Sequence, residues 1–497
     1  MFYLYQPFLE GEGEGDNGDD IPARLFEEGR WVRGRWWYRL AHVCRRWRDV
    51  ILRSASYLGV SLVCTNGTPV ADMLANSPPL PVVIEYYVDE NDDIAAEDEA
   101  GAILALKQRD RILRVRLVMS VTNLQKLIIV MGDEYPILEY LIIGHRMEDK
   151  TSILIFPETL QAAHLRHLVL VGFTLPIGSR LLSTAVGLVT LHLIMVHPST
   201  YFHPNTLLRW LSFMPQLESF SIGFVFPTPD HDVERQLTHI PIMTLVTLPN
   251  LHIFRFQGVR TYLEALVHQI TTPQLEKLQI WFFNQLTVSV PCLLQFMNTA
   301  DNLRFNSAKF KFSDEEVVVE VYPHEEANMY ALSIAVSGWH LDWQVSSVAQ
   351  ISNSLRPIFS AVGHLTLEYS VHNRSSEEHN EANRTEWHKL LSSFKKVKTL
   401  GITKGLVKEL SRCLQLDDGE LSSELLPELQ EITYFGSGIV DDTLTSFIDA
   451  CQNAGRPITL APVVHPSSSL DRSSSLSSIE PSLITPARIE AGIDFDT

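Results

Sequence analysis

Long apolar runs, paired cysteines and an excess of positive charge are all missing from this chain. No stretch approaches the roughly 20 consecutive apolar residues of a membrane-spanning helix, so no membrane partner is expected. The amino-terminal segment MFYLYQPFLEGEGEG carries no basic residue ahead of its short apolar part and does not read as a secretory signal. The five cysteines, Cys44, Cys64, Cys292, Cys413 and Cys451, are odd in number, far apart and never spaced Cys-x-x-Cys. That usage excludes a zinc ribbon or a disulfide framework and fits a reducing compartment. The expected location is cytoplasmic or nuclear. The glycosylation-type triplets at Asn66, Asn373 and Asn383 then read as chance matches. Lysine and arginine number 40 against 59 acidic residues, a net charge of -19. The basic footprint of a general nucleic-acid binder is therefore lacking.

Catalytic signatures are missing as well. There is no His-Glu-x-x-His, no Gly-x-Ser-x-Gly, no Walker A loop, and no Gly-x-Gly-x-x-Gly following a strand. The glycines of Gly11–Gly15 alternate with glutamates that would repel a phosphate, and no apolar strand leads into them. The acidic run Asp89–Glu99 lacks the glycine and spacing of a calcium loop. His164 and His167 stand three apart, but within a strand-like stretch where packing or surface roles outweigh metal ligation. The expectation is a protein without catalytic, metal or cofactor sites.

What the chain does have is repetition. Over its 497 residues, 45% of them hydrophobic, an apolar residue, two others, a second apolar residue, one other and a third apolar residue recur. This is the L-x-x-L-x-L core of leucine-rich repeats, in which each repeat lays down one short strand. Copies stand at Ile112-Val115-Leu117, Leu124-Leu127-Ile129, Leu138-Leu141-Ile143, Leu165-Leu168-Leu170, Leu188-Leu191-Leu193 and Leu217-Phe220-Ile222. They continue at Leu251-Phe254-Phe256, Leu275-Leu278-Ile280, Met329-Leu332-Ile334, Val362-Leu365-Leu367, Val397-Leu400-Ile402 and Leu429-Ile432-Tyr434, with a poor copy around Leu303–Phe310. From Leu138 the steps are about 27, 23, 29, 34, 24 and 28 residues, at or above the usual period.

The segments between copies read as helices. Pro204–Met214 has proline in its first turn and Leu207, Trp210, Leu211 and Met214 on one face. Tyr262–Ile270, Leu293–Met297 and Thr385–Phe394 are similar. Parallel strands need such crossovers, and stacked units share a core that none could bury alone. The expected fold is α/β, an irregular leucine-rich-repeat solenoid of parallel strands and crossover helices over residues 59–461. Phe310–Tyr322 alternates Val317, Val319 and Val321 onto one face and is expected to be an antiparallel insertion. Asp441–Ala454 is expected to be a capping helix ended by Gly455. The glycine- and acid-rich leader 1–20 and the serine-rich tail 462–497 are expected to be disordered.

Strand alternation nominates a binding surface. If the motif leucines face the core, the residues between them face the concave side, which repeat arrays often use for binding. They include His167, Val169, His192, Ser219, Ser221, Arg255, Gln279, Trp281, Thr366 and Glu368. Trp281 and Arg255 are the expected anchors, because Trp and Arg are enriched in binding hot spots.

A different texture precedes the repeats. Trp36, Leu40, Val43, Trp47 and Val50 fall at steps of three and four, predicting one face of a helix over Trp36–Ile51. Arg39, Arg45, Arg46 and Arg48 occupy its other faces. The stretch Leu40-x-x-Val43-Cys44-Arg45-x-Trp47-x-x-Val50 resembles the second half of an F-box. The continuation Ser56–Thr65 and Pro69–Leu74, and the closing Phe447–Ala450 with Asn453–Leu460, are similar to fungal F-box-like proteins with degenerate leucine-rich repeats. In the first F-box helix, Ile21-Pro22 and Leu25-Phe26 match, but Glu27-Glu28-Gly29-Arg30 stands where the family has apolar residues. The resemblance implies a degenerate F-box-like helical module at 21–58. Its adaptor-binding residues would be Ile21, Pro22, Leu25, Leu40, Val43, Cys44, Arg45, Trp47 and Val50. It further implies a non-enzymatic substrate receptor of an SCF-type cullin–RING ubiquitin ligase. The partners would be the acidic adaptor subunit, a cullin through it, and a protein substrate held by the repeats. The alternative is a ligase-independent interaction scaffold descended from the same family.

Overall fold

The structure is a computed structural model. It describes residues 43–54, 60–88, 92–145, 154–196, 202–225, 245–283, 289–325, 327–369, 384–403, 405–407, 410, 425–435, 448–449, 452 and 455–463. Ile21, Pro22, Leu25, Leu40 and most of the expected helix Asp441–Ala454 lie outside these residues, as do the leader and the serine-rich tail from 464 on.

The strands in chain order begin with β1 (Leu62–Thr65), β2 (Val82–Tyr87), β3 (Ile112–Val118), β4 (Tyr140–Gly144), β5 (Leu154–Ile155), β6 (His167–Val171) and β7 (Phe173–Thr174). Next come β8 (Thr190–Val196), β9 (Ser219–Phe224), β10 (Val246–Thr247), β11 (Ile253–Gly258), β12 (Ile270–Thr271) and β13 (Lys277–Phe282). The last are β14 (Ser307–Phe312), β15 (Glu316–Tyr322), β16 (Leu332–Ser337), β17 (His364–Tyr369), β18 (Thr399–Thr403), β19 (Glu431–Phe435) and β20 (Thr459–Val463). Sixteen of them form a single sheet in the order β1-β2-β3-β4-β6-β8-β9-β11-β13-β16-β15-β14-β17-β18-β19-β20. The fold is α/β, and the sheet is parallel except where β15 runs antiparallel to both β14 and β16. The insertion expected at Phe310–Tyr322 is this antiparallel element.

The motif residues have separate jobs. The first leucine of a copy precedes the strand and closes a turn: the Leu165 N–H donates to Ala162 O at 3.1 Å, Leu217 to Met214 at 3.2 Å and Leu275 to Thr272 at 3.2 Å. The second and third lie within the strand and point at the helices. One carbonyl before each strand then serves the next strand twice. Glu139 O accepts from Arg166 and His167 at 2.9 and 3.0 Å, Val189 O from Glu218 and Ser219 at 2.8 and 3.1 Å, and His252 O from Glu276 and Lys277 at 2.9 Å each. Register is therefore set at the strand entrance as well as by the pleat.

The crossovers lie on the leucine face. In the helix Pro204–Leu211, Pro204 takes the first turn, where its missing N–H costs nothing, and the His203 ring Nδ1 accepts the Asn205 N–H at 3.1 Å. Leu207, Leu208 and Leu211 of that helix are wholly buried in the same cluster as Phe220 and Ile222 of β9. Aromatic rungs run through this layer: Phe220 stacks on Phe254 at 5.4 Å, and Phe224 meets Tyr262 edge-on at 4.9 Å. Tyr262 Oη donates to Phe202 O at 3.1 Å, so its one polar atom is satisfied. The cluster extends from Ile51 to Ile458.

Two sequence expectations change. Leu124-Leu127-Ile129 is not a strand copy but the helix Val121–Ile128 and the 3-10 turn Ile129–Met131. Leu124, Leu127, Ile128 and Met131 are buried while Ile129 is exposed, which is helical spacing. The predicted helix Trp36–Ile51 does not run through Cys44, whose φ of -161° and ψ of 168° are extended. The described helix is Arg45–Arg53. Val43 therefore cannot continue the stripe of Trp47 and Val50 by helical periodicity.

Candidate binding face

The face of the sheet away from the helices carries a row set by register, polar except at Ile142 and Val169, which belong to a small buried apolar cluster. Reading across the sheet, Glu85 pairs with Arg116, Arg116 with Ile142, Ile142 with Val169, and Val169 with His192. His192 then pairs with Ser221, Ser221 with Arg255, Arg255 with Gln279, and Gln279 with Ser333. Beyond Ser333 the row passes through Glu320, Lys309 and Thr366. Of the residues expected on this face, Val169, His192, Ser221, Arg255, Gln279 and Thr366 fall in this row.

Their neighbours pair them tightly. Arg116 Nη1 meets Glu85 Oε1 at 2.7 Å. Tyr140 stacks on His167 at 4.3 Å, with the Arg114 guanidinium 4.3 Å from the centre of the same tyrosine ring. His167 Nδ1 lies 3.1 Å from Thr190 Oγ1, and His192 Nε2 lies 2.9 Å from Ser219 Oγ. Arg255 Nε donates to Gln279 Oε1, whose Nε2 donates to Tyr330 Oη. Trp281 Nε1 donates to Ser337 Oγ at 3.2 Å. Further along, Lys311 meets Glu320 at 2.9 Å and Lys309 meets Glu368 at 2.8 Å.

The expected anchors are corrected by their burial. Trp281 and Arg255 are only 7% and 6% exposed, and His192, Ser219 and Ser221 are buried too. In a parallel sheet, large planar side chains on strands about 4.8 Å apart lie on one another and leave little for a partner. Of the expected residues, His167, Gln279, Thr366 and Glu368 are half-buried and stay accessible. Sequence reasoning missed Arg114, Tyr140, Tyr330, Lys309 and Glu320 as members of this face. All but Tyr330 sit at alternate strand positions, so period-two spacing could have found them.

Burial also sets protonation. The His192 imidazole is pushed down to about 3, first by burial and then by the Arg255 and His167 charges. His167 is lowered to about 4 by burial, then by Arg166 and Arg114. Both rings are neutral near pH 7. Among the described residues, no group of three His, Cys, Asp or Glu side chains could hold a metal ion. No described helix is long and apolar enough to cross a membrane.

The other candidate is the helix Arg45–Arg53. Ile51 is buried and fixes it to the core, with Leu52 partly buried beside it. Val43, Trp47 and Val50 are 63%, 50% and 50% exposed. Cys44, Arg45, Arg46 and Arg48 are exposed beside them. This arrangement leaves Trp47 and Val50 exposed on a helix that also carries exposed Arg45, Arg46, Arg48 and Asp49. A scan against protein-family models finds no match, and a search of curated proteins finds no similar protein.

Proposed function

We propose that this chain is a substrate-recognition subunit of an SCF-type cullin–RING ubiquitin ligase. The observation that carries the reading is the helix Arg45–Arg53. Its Trp47 and Val50 face solvent, the same helix carries exposed Arg45, Arg46, Arg48 and Asp49, and only its far end is anchored to the core. Isolated apolar exposure needs no explanation, but an aromatic and two valines among arginines on the residues that resemble an F-box fit docking to an acidic adaptor subunit. The sheet would be the inner wall of an irregular leucine-rich-repeat solenoid. Its accessible polar face and rims would hold the protein substrate, and the chain itself would perform no chemistry.

Purified chain and adaptor subunit mixed at micromolar concentration should co-precipitate. The double substitution Val43→Asp and Trp47→Ala should abolish capture while leaving thermal stability within about 0.5 kcal/mol, since both positions are exposed. Failure of the wild-type chain to bind would reject the ligase reading. The second reading rests on Glu27-Glu28-Gly29-Arg30, which stand where the first helix of the resembled family has apolar residues. On that reading the chain is a ligase-independent interaction scaffold, and the wild type is not captured at all.

A further inference from the structure

The sheet breaks parallel order once, at the β14–β15 hairpin, and the turn of that hairpin rests on the start of the helix Leu341–Ser354. Buried Gln344 joins the two: its Nε2 donates to Ser313 O and Gly338 O, both at 2.7 Å. The Gly338 N–H donates to Glu315 O at 2.8 Å. Between these fixed points Trp339 and Trp343 stay 56% and 49% exposed, with the His340 ring edge-on to Trp343 at 5.7 Å. Two half-exposed indoles within five residues, on backbone held from both sides, form a preorganised apolar surface rather than scattered exposure.

Their surroundings are acidic. Asp314 and Glu315 occupy the hairpin turn, half-buried, and Glu316 opens β15 opposite Ser337. Asp342 stands in the first turn of the helix. Among the described residues no lysine or arginine is ion-paired to Asp314, Glu315 or Glu316. The Glu316 carboxyl is pushed up to about 7, first by burial and then by the neighbouring Glu315 charge. A cation brought to this spot gains from the carboxylates and from the indole faces together. A second copy of this chain, at net charge -19, is repelled as a whole.

We propose that Trp339, Trp343 and the acidic turn Asp314–Glu315 form a docking surface for a basic segment of a partner protein, an arginine- or lysine-bearing peptide. Its cations lie over the indoles and against the carboxylates. The proposal does not depend on adaptor binding, which is proposed for the separate helix Arg45–Arg53.

The test is a fluorescence anisotropy titration of a dye-labelled, capped peptide of alternating glycine and arginine into the full-length protein at physiological salt. The matching glycine–glutamate peptide is the control. The arginine peptide should bind and the glutamate peptide should not. An acidic protein attracts any polycation, so the deciding variants are those that separate place from charge. Trp339→Ala with Trp343→Ala leaves the charge unchanged and should weaken binding at least about tenfold. Asp314→Lys with Glu315→Lys, in an accessible turn, should do the same. Asp93→Lys with Glu97→Lys makes an equal charge change on the exposed acidic stretch near residue 95 and should shift the affinity less than about twofold. Circular dichroism shows that each variant is folded. The proposal is overturned if the arginine peptide does not bind, or if the Trp variant binds as wild type does. It is equally overturned if the Asp93/Glu97 variant loses as much as the turn variant, or if light scattering shows a dimer that the Trp substitutions dissociate.

Discussion

Gly172 has a φ of +79°, and a Cβ built there would lie 2.1 Å from His145 Nε2. That ring is buried and its Nε2 lies 3.0 Å from the Gly172 carbonyl oxygen. Alanine at 172 must therefore bear left-handed strain of roughly 1–2 kcal/mol and also displace a buried imidazole. Gly67 has nearly the same φ, +69°, with nothing within 4 Å of its Cβ position. Gly172→Ala should cost more than about 2 kcal/mol in urea denaturation, and Gly67→Ala only about 1 kcal/mol, the backbone part alone. Equal losses would mean that His145 yields freely. The same scale shows what sequence could and could not disclose. That Arg255 and Trp281 oppose the leucines follows from a period of two, which needs no structure. That both are buried depends on Gln279 meeting Arg255 and Ser337 meeting Trp281 from other strands, 24 and 56 residues away. No local pattern encodes those encounters.

Elements were legible in proportion to how firmly periodicity distinguishes them. Strands such as β6 and β11 carry the motif between turn residues and were read correctly. Leu124-Leu127-Ile129 was not, because a three-residue step satisfies both the repeat motif and a helical face. Only the burial of Ile128 and Met131 decides for the helix. The polar row across β6 and β8 gives the sheet a pH dependence with a definite sign. His192 and His167 have folded-state values near 3 and 4, below the 6.5 of an unconstrained imidazole. Between those values the unfolded chain holds protons that the folded one does not. Stability therefore falls as pH drops below about 6.5, by up to about 1.4 kcal/mol per pH unit for fully buried His192. Glu316 acts in the opposite sense: its folded value near 7 exceeds the 4.5 of a free carboxyl, so stability falls as pH rises between them. Urea midpoints measured from pH 4.5 to 8 should show His192→Gln flattening the acid side, with Glu316→Gln relatively stabilised at pH 8. An unchanged acid limb in His192→Gln would show that the ring is protonated in the folded state.

At the scale of the molecule, each strand of the sheet pairs only with its two neighbours, and the order of pairing follows the chain except around β14–β16. Ladder pairing is local, so a defect in one strand has few direct hydrogen-bonded routes to distant strands. On the proposed repeat-array reading, stability is close to a sum of unit and nearest-neighbour terms, and parts of the sheet open separately. Leu400, wholly buried in β18, tests this. Leu400→Ala should cost about 2–5 kcal/mol where it acts. Amide exchange should then accelerate in β17 to β20 while β3 to β9 keep wild-type protection. The antiparallel insertion sharpens the expectation, because β14 and β15 bind the two halves of the sheet through ladders on both sides. If acceleration stops at β14, the hairpin is a boundary between separately opening segments. If it spreads evenly through β3, the 16 strands unfold as one cooperative unit, and coupling through the continuous leucine layer outweighs the nearest-neighbour order of the sheet.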